Sequence, residues 1–161
     1  MIFCYFRISL TILTIPRISA HVNTLKKGLQ SADLILTTGG TSMGPTDLLK
    51  PVIERYLEGT VHFGRVSIKP GKPTTFASVP FEDNLGNIIH KPIFALPGNP
   101  ASALVTFYVF VVPALRKLGG YPDKFLELPK IIVQVSHSRT LLFLYSSVEY
   151  ANVYDMSVAA T

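Results

Sequence analysis

Residues 34–47 read LILTTGGTSMGPTD, and the rest of the chain is arranged around them. Leu34, Ile35 and Leu36 form a short apolar β-type run that ends in Thr37-Thr38-Gly39-Gly40. A loop of small residues follows, then a proline and an acid that open a helical stretch. The order is strand, glycine loop, helix. At the C-terminal end of a strand in an α/β sheet, such a turn leaves backbone N–H groups unpaired, and these can hold an anion. Gly39, Gly40 and Gly44 allow positive φ and close approach to a ligand, while Thr37, Thr38, Thr41 and Ser42 bring hydroxyls. By itself the loop reads equally well as a tight βα turn with no ligand.

Working outward, Val22, Leu25, Leu29 and Ala32 recur at helical spacing, which predicts an amphipathic helix over 22–32 leading into a strand at 33–38. Leu48, Leu49, Val52, Ile53 and Leu57 predict a helix over 47–57, with Pro51 confined to its first turn. Gly59 ends that helix. Strands are expected over 60–69, 74–79 and 93–96, with a surface hairpin or loop at 81–87. Asn99 suits an N-cap, Pro100 the first helical position and Gly119-Gly120 the stop, so the longest helix should run from 99 to 118. It is apolar almost continuously from Ala103 to Val112, so it is expected to be buried on most sides or to pair with another chain. The alternation predicts a three-layer α/β/α domain with a largely parallel sheet.

The chain's 161 residues suffice for one domain with a real core. Charged residues make up 16% and hydrophobic ones 48%, a globular rather than a disordered balance. A net charge of +5 suits an anionic ligand, but no Lys/Arg run marks a nucleic-acid surface. Cys4 stands alone and excludes an internal disulfide. Residues 1–20 are apolar and β-branched but interrupted by Arg7, Pro16 and Arg17; they lack a basic segment before the apolar run, and their uninterrupted stretch is too short for a membrane span. They read as a strand-prone or poorly ordered extension.

Two further loops carry chemistry. Lys69-Pro70-Gly71-Lys72-Pro73 sets two lysines on a stiff turn, where both ammonium groups can converge on one small dianion. Leu96-Pro97-Gly98-Asn99-Pro100-Ala101-Ser102 is a second strand-to-helix corner; with Asn99 as cap, Ser102 offers its hydroxyl and N–H at the helix N-terminus. Each also has a bland reading, as solvated surface lysines and as a capped helix without a ligand. Asp47 has one too: an acid at a helix start, favourable against the dipole.

Together with His62-Phe63-Gly64-Arg65-Val66, these loops resemble the molybdopterin molybdenumtransferase family, including its gephyrin-type members, over roughly residues 22–120. The resemblance implies a molybdopterin-binding α/β domain over 21–120. It is preceded by a non-family extension over 1–20 and followed by a truncated remnant of a C-terminal β domain over 121–161, divergent after 135. It implies insertion of molybdate into adenylylated molybdopterin, with Mg²⁺-dependent release of AMP. Gly39, Gly40, Ser42, Gly44, Pro97, Gly98 and Asn99 are then substrate-binding. Ser42, Lys69, Lys72, Pro73 and Ser102 take molybdate, and Asp47 is catalytic and the Mg²⁺ partner. Pro45 and Thr41 depart from the family pattern, and the family's upstream acids and its arginine and serine from the β domain have no match in this chain. Implied partners are small-molecule substrates and a second copy in a homodimer, without nucleic acid or membrane span, in a cytoplasmic setting. Three alternatives stand beside this reading: the sister adenylyltransferase, a gephyrin-like scaffold for a receptor tail or cytoskeletal partner, and an inactive fragment. Ser42-Met43-Gly44 and the lysine turn separate the chain from the sister enzyme.

Overall fold

The computed structural model describes residues 7–12, 17–41 and 48–126. Its elements are β1 (Ile8–Ile12), α1 (Ile18–Ser31), β2 (Leu34–Thr38), α2 (Leu49–Tyr56), β3 (Thr60–Phe63), β4 (Thr75–Glu82) and β5 (Ile88–Leu96). A long helix follows, made of α3 (Pro100–Thr106), a π-helical segment (Phe107–Val111) and α4 (Val112–Leu118). The five strands are ordered β1-β2-β5-β4-β3.

The expected three layers are present. On one face α1 and α2 bury Leu25, Leu29, Leu49, Val52 and Ile53 against Ile35, Ala77, Val79, Ile93 and Ala95. On the other face Phe107, Phe110, Val111, Ala114 and Leu115 of the long helix cover Leu34, Leu36, Phe94 and Leu96. The sheet, however, is mixed rather than largely parallel. β1-β2 and β2-β5 are parallel, whereas β5-β4 and β4-β3 are antiparallel. Length explains the difference: a parallel pair needs a crossover of a dozen or more residues, and only the short turn at 83–87 joins β4 to β5.

That turn is the hairpin expected at 81–87. The Asp83 carboxylate accepts from the Leu85 and Asn87 backbone N–H groups at 2.8 and 2.9 Å and from the Asn87 side-chain amide, while Gly86 takes φ +81°. Both strands run further than their apolar pattern predicts. Pro80 lies beyond the β3 ladder and Pro92 beyond the β2 ladder, so neither interrupts pairing on that side. β3 is shorter than expected, ending at Phe63 instead of 69. From Gly64 the chain closes on itself, with the Val66 N–H donating to the Lys72 carbonyl at 2.9 Å.

Helix α1 begins at Ile18, ahead of the expected start, because His21, Leu25, Gly28 and Leu29 continue one buried face. Pro51 is the third residue of α2, where its missing N–H has no intrahelical partner to lose. The long helix stays continuous through Pro113 by widening: the Val112 N–H reaches back five residues to the Phe107 carbonyl, one position before the proline. Gly120, at φ +75°, stops it, with the Tyr121 N–H on the Arg116 carbonyl and the Gly120 N–H on that of Lys117. This helix is not buried on most sides by the described chain. Leu104 and Tyr108 are 59% and 49% exposed, and only Thr106 and Val111 are buried. By length and a hydropathy of 1.5 it would suffice to span a membrane. One of its faces is nevertheless committed to the sheet.

At the far end of the sheet, Lys91 closes the C-terminus of α1. Its buried Nζ donates to the Leu29 and Ala32 carbonyls at 2.5 and 2.9 Å and lies 3.7 Å from the Phe81 ring centroid. Desolvation holds its pKa below the ordinary ammonium value, opposed by the nearby Asp33 carboxylate. Replacing Lys91 with alanine removes two charged hydrogen bonds and a packed stem; denaturant unfolding should show a loss of about 2–4 kcal/mol.

The hairpin gives a pH test. Hydrogen bonding, first from the Asn87 backbone N–H, lowers the Asp83 pKa. A lowered folded pKa means that its support of the turn is complete above the unfolded carboxyl value and is lost as pH falls through the folded one. Hydrogen exchange at Leu85 and Asn87 should therefore lose protection below about pH 4, and Asp83→Ala should show the same low protection at every pH.

Candidate functional site

The last pair between β2 and β5 is Thr38 with Leu96, so the glycine loop and the Pro97-Gly98 corner leave the sheet side by side. Gly39 and Gly40 take φ +81° and +69°, as a tight exit requires. The Gly39 N–H donates to the Leu96 carbonyl at 3.2 Å, and the buried Thr41 hydroxyl reaches the same oxygen at 3.5 Å. A Cβ placed on Gly98 would sit 3.5 Å from the Gly39 Cα, so the two loops touch through backbone. Pro97 is buried, and Gly98 and Asn99 are exposed at the rim.

Asn99 caps α3. Its Oδ1 accepts from the Ser102 N–H at 3.2 Å and lies 3.4 Å from the Ser102 Oγ. The Ser102 N–H is therefore not free: the cap uses it, and the Ser102 hydroxyl also donates to the Asn99 Oδ1, in a long contact that its rotation can release. One turn further on, Thr106 receives the lysine turn. A Cβ on Gly71, at φ +126°, would fall 2.4 Å from the Thr106 Cγ2, so only glycine fits against the helix there. Thr74 secures the turn from the other side, its N–H and hydroxyl both donating to the Gly71 carbonyl. Gly71 meets the helix four residues beyond Ser102, about 6 Å along the axis. Lys69 and Lys72 are exposed, Pro73 half-buried, and neither lysine has an ion-pair partner among the described residues.

All three loops thus lie at the same end of the sheet, where β2 and β5 finish and β4 begins. Ser42, Gly44 and Asp47, three of the sequence-predicted site residues, lie outside the described residues. The rim is electropositive by composition: residues 59–81 and 84–122 hold no aspartate or glutamate. Sequence reasoning assigned no role to Lys50, whose Nζ donates to the Gly64 carbonyl at 3.2 Å and braces the loop that leads to Lys69. Its signal was slight, a lysine near the start of a short helix. A cavity of about 270 Å³ lies elsewhere, between the C-terminal ends of α1 and α2 and beside Phe81, at the opposite end of the sheet. Among the described residues no cluster of three or more His, Cys, Asp or Glu side chains forms a metal site.

An α/β domain whose glycine and Pro-Gly loops leave the C-terminal ends of two adjacent parallel strands, with a lysine-bearing turn beside them, has the loop placement of the open-sheet α/β folds. More particularly, residues 16–117 match the probable molybdopterin binding domain family, and the chain belongs to it. It is 52% identical over 109 residues to gephyrin of Dictyostelium discoideum, covering 63% of this chain and 15% of that protein. To the molybdenum cofactor synthesis protein cinnamon of Drosophila melanogaster it is 47% identical over 89 residues, 55% of this chain and 13% of the relative. A molybdopterin molybdenumtransferase of Nostoc is 40% identical over 98 residues, 60% of this chain and 21% of the enzyme. The chain therefore spans about a fifth or less of the length of these relatives.

The Gly71 contact tests how the lysine turn is held. Gly71→Ala puts a Cβ into Thr106 at a positive φ; calorimetric unfolding should show a loss of about 1–3 kcal/mol, partly restored by Thr106→Ser, which removes the opposing methyl.

Proposed function

We propose that this chain carries part of the site at which molybdate is inserted into adenylylated molybdopterin, the activity of a molybdopterin molybdenumtransferase. The observation that supports it most is the convergence of three loops at one end of the sheet. The glycine loop rests on Leu96 and Gly98, and the lysine turn rests on Thr106, one turn from Ser102. In this reading Gly39 and Gly40, with Gly44, bring backbone close to the substrate, alongside Pro97, Gly98 and Asn99. Lys69 and Lys72 supply charge to the oxyanion, with Pro73 stiffening the turn and the Ser42 and Ser102 hydroxyls completing its shell. Fixed in place before the ligand arrives, such donors need little reorganisation to bind it.

The donors of the described rim are ammonium, hydroxyl and amide groups, which suit an anion and do not by themselves hold a divalent cation. Mg²⁺ in this reading is held by Asp47 and by the substrate's phosphate, since Mg²⁺ is commonly bound by one or two carboxylates plus substrate oxygens. When bound it would supply charge neutralisation at the adenylate phosphate. The matched region being about a fifth or less of these relatives, this domain would provide one wall of the site, and a second copy in a homodimer would cover the apolar face left open at Leu104 and Tyr108. The setting is cytoplasmic.

The test is calorimetric titration of tungstate, a stable analogue of molybdate, into the parent chain and into Lys72→Ala. Loss of one charged contact should weaken binding about tenfold. Equal affinities would remove the lysine turn from the site.

A further inference from the structure

The segment from Gly64 to Lys72 carries both lysines of the rim with little core of its own: within 64–72 only Ile68 and Gly71 are buried. Its shape therefore depends on ties to its surroundings, since a surface segment with few buried contacts opens easily. The far end is seated at Gly71 on Thr106 and tied by Thr74. The middle is closed by the Val66 N–H, which donates to the Lys72 carbonyl at 2.9 Å. The near end is held by Lys50 of α2, whose Nζ donates to the Gly64 carbonyl at 3.2 Å.

Three observations set Lys50 apart from a solvated surface lysine. It is the second residue of α2, where an ammonium opposes the positive end of the helix dipole, and no acid stands in that first turn to offset it. Unlike Lys69 and Lys72, it is half-buried. Gly64 also leaves room for its head. A Cβ at that position would overlap the Lys50 Cε and Nζ, yet the Gly64 φ is not positive, so the missing side chain there serves space rather than conformation. The Gly64 carbonyl lies two residues before the Val66 N–H that reaches Lys72. A single side chain thus joins α2, the helix that follows the glycine loop in sequence, to the turn that carries Lys69 and Lys72.

We propose that Lys50 is a positioning residue of the oxyanion site. Through the Gly64 carbonyl and the Val66–Lys72 bond it holds the backbone of the lysine turn where Lys69 and Lys72 reach one anion, and it does not itself touch the anion. The proposal rests on the oxyanion reading above for what the turn binds, while the brace itself stands on the contacts just described. Donors fixed before a ligand arrives need no ordering when it binds, so loss of the brace weakens binding although every ligand group remains.

Two variants remove the brace in different ways. Lys50→Met keeps the apolar stem and deletes the charge and the hydrogen bond; Gly64→Ala keeps the charge and evicts the lysine head from its seat. Amide hydrogen exchange and calorimetric titration of tungstate are measured on the parent, on both variants and on each combined with Lys72→Ala. The brace predicts faster exchange at Val66 in both variants with the core strand amide of Ile93 unchanged, and tungstate binding about 3- to 10-fold weaker, the loss expected for one hydrogen bond. It also predicts that either change costs less affinity once Lys72 is already alanine, because the turn it positions has lost its cation. Unchanged exchange at Val66, or equal acceleration at Ile93, overturns the brace. Weaker binding in Lys50→Met alone, or full additivity with Lys72→Ala, assigns the effect to charge and overturns the positioning role. Faster exchange with unchanged affinity overturns the link to the anion. If the parent does not bind tungstate, the proposed function fails, and the brace is judged on Val66 exchange alone.

Discussion

The parallel pairing of β2 with β5, carried through to Thr38 and Leu96, is the constraint on which the site depends. Both strands end at the same level and both chains turn away there. The Gly39 N–H and the Thr41 hydroxyl then share the Leu96 carbonyl, which extends the ladder one step into the loop. Two loops from distant parts of the sequence are thereby held in backbone contact, close enough that Gly98 faces Gly39 without a Cβ between them. Had either strand slipped by one residue, alternate side chains would have changed faces, moving Ile35 or Ile93 out of the core under α1 and α2.

The long helix ties the third loop into this arrangement. Asn99 caps it beside the glycine loop, and Thr106, one turn in, receives Gly71. Thr106 is itself fixed by donation to the Ser102 carbonyl at 2.9 Å, so the cap, Ser102 and the lysine turn form a single connected assembly. Charge follows the same division. The loops and strands of 59–81 and 84–122 carry cations only, while most of the acids described, such as Asp33, Glu58 and Asp83, lie toward the other end of the sheet or at exposed turns. An anion approaching the rim meets no described carboxylate on these segments, which suits electrostatic attraction of an oxyanion.

The two faces of the sheet are covered unequally. α1 and α2 enclose a continuous core that reaches all the central strands, and Lys91 seals its far end by spending its charge on the carbonyls at the end of α1. The opposite face has one helix. Leu10 of β1, 67% exposed, lies in register with Leu36 on that side and remains outside its cover, as do Leu104 and Tyr108 on the helix's outer face. The family relatives are several times longer than this chain, and further polypeptide is available in them to meet these surfaces.

Local sequence determined most of the elements and the chemistry of each loop. The 3.6-residue recurrence over 22–32 and 47–57, the apolar run at 34–36, the Asn99-Pro100 start and the Gly119-Gly120 stop are written in neighbouring residues, because capping, φ limits and amphipathic spacing act over a few positions. The family was legible in the same way, since its loops are short and contiguous. What only the tertiary structure decided was relation. The mixed direction of the sheet followed from the brevity of the turn at 83–87, which periodicity alone does not count. The extent of β4 and β5 exceeded their apolar pattern because the hairpin pairs its polar half as well, through backbone groups that every residue carries. The seat of Gly71 on Thr106 and the row of Thr37, Ala95 and Thr75 across the sheet depend on residues brought together from separate elements. No local rule encodes them, because packing, unlike propensity, is decided by whatever the fold places on the other side.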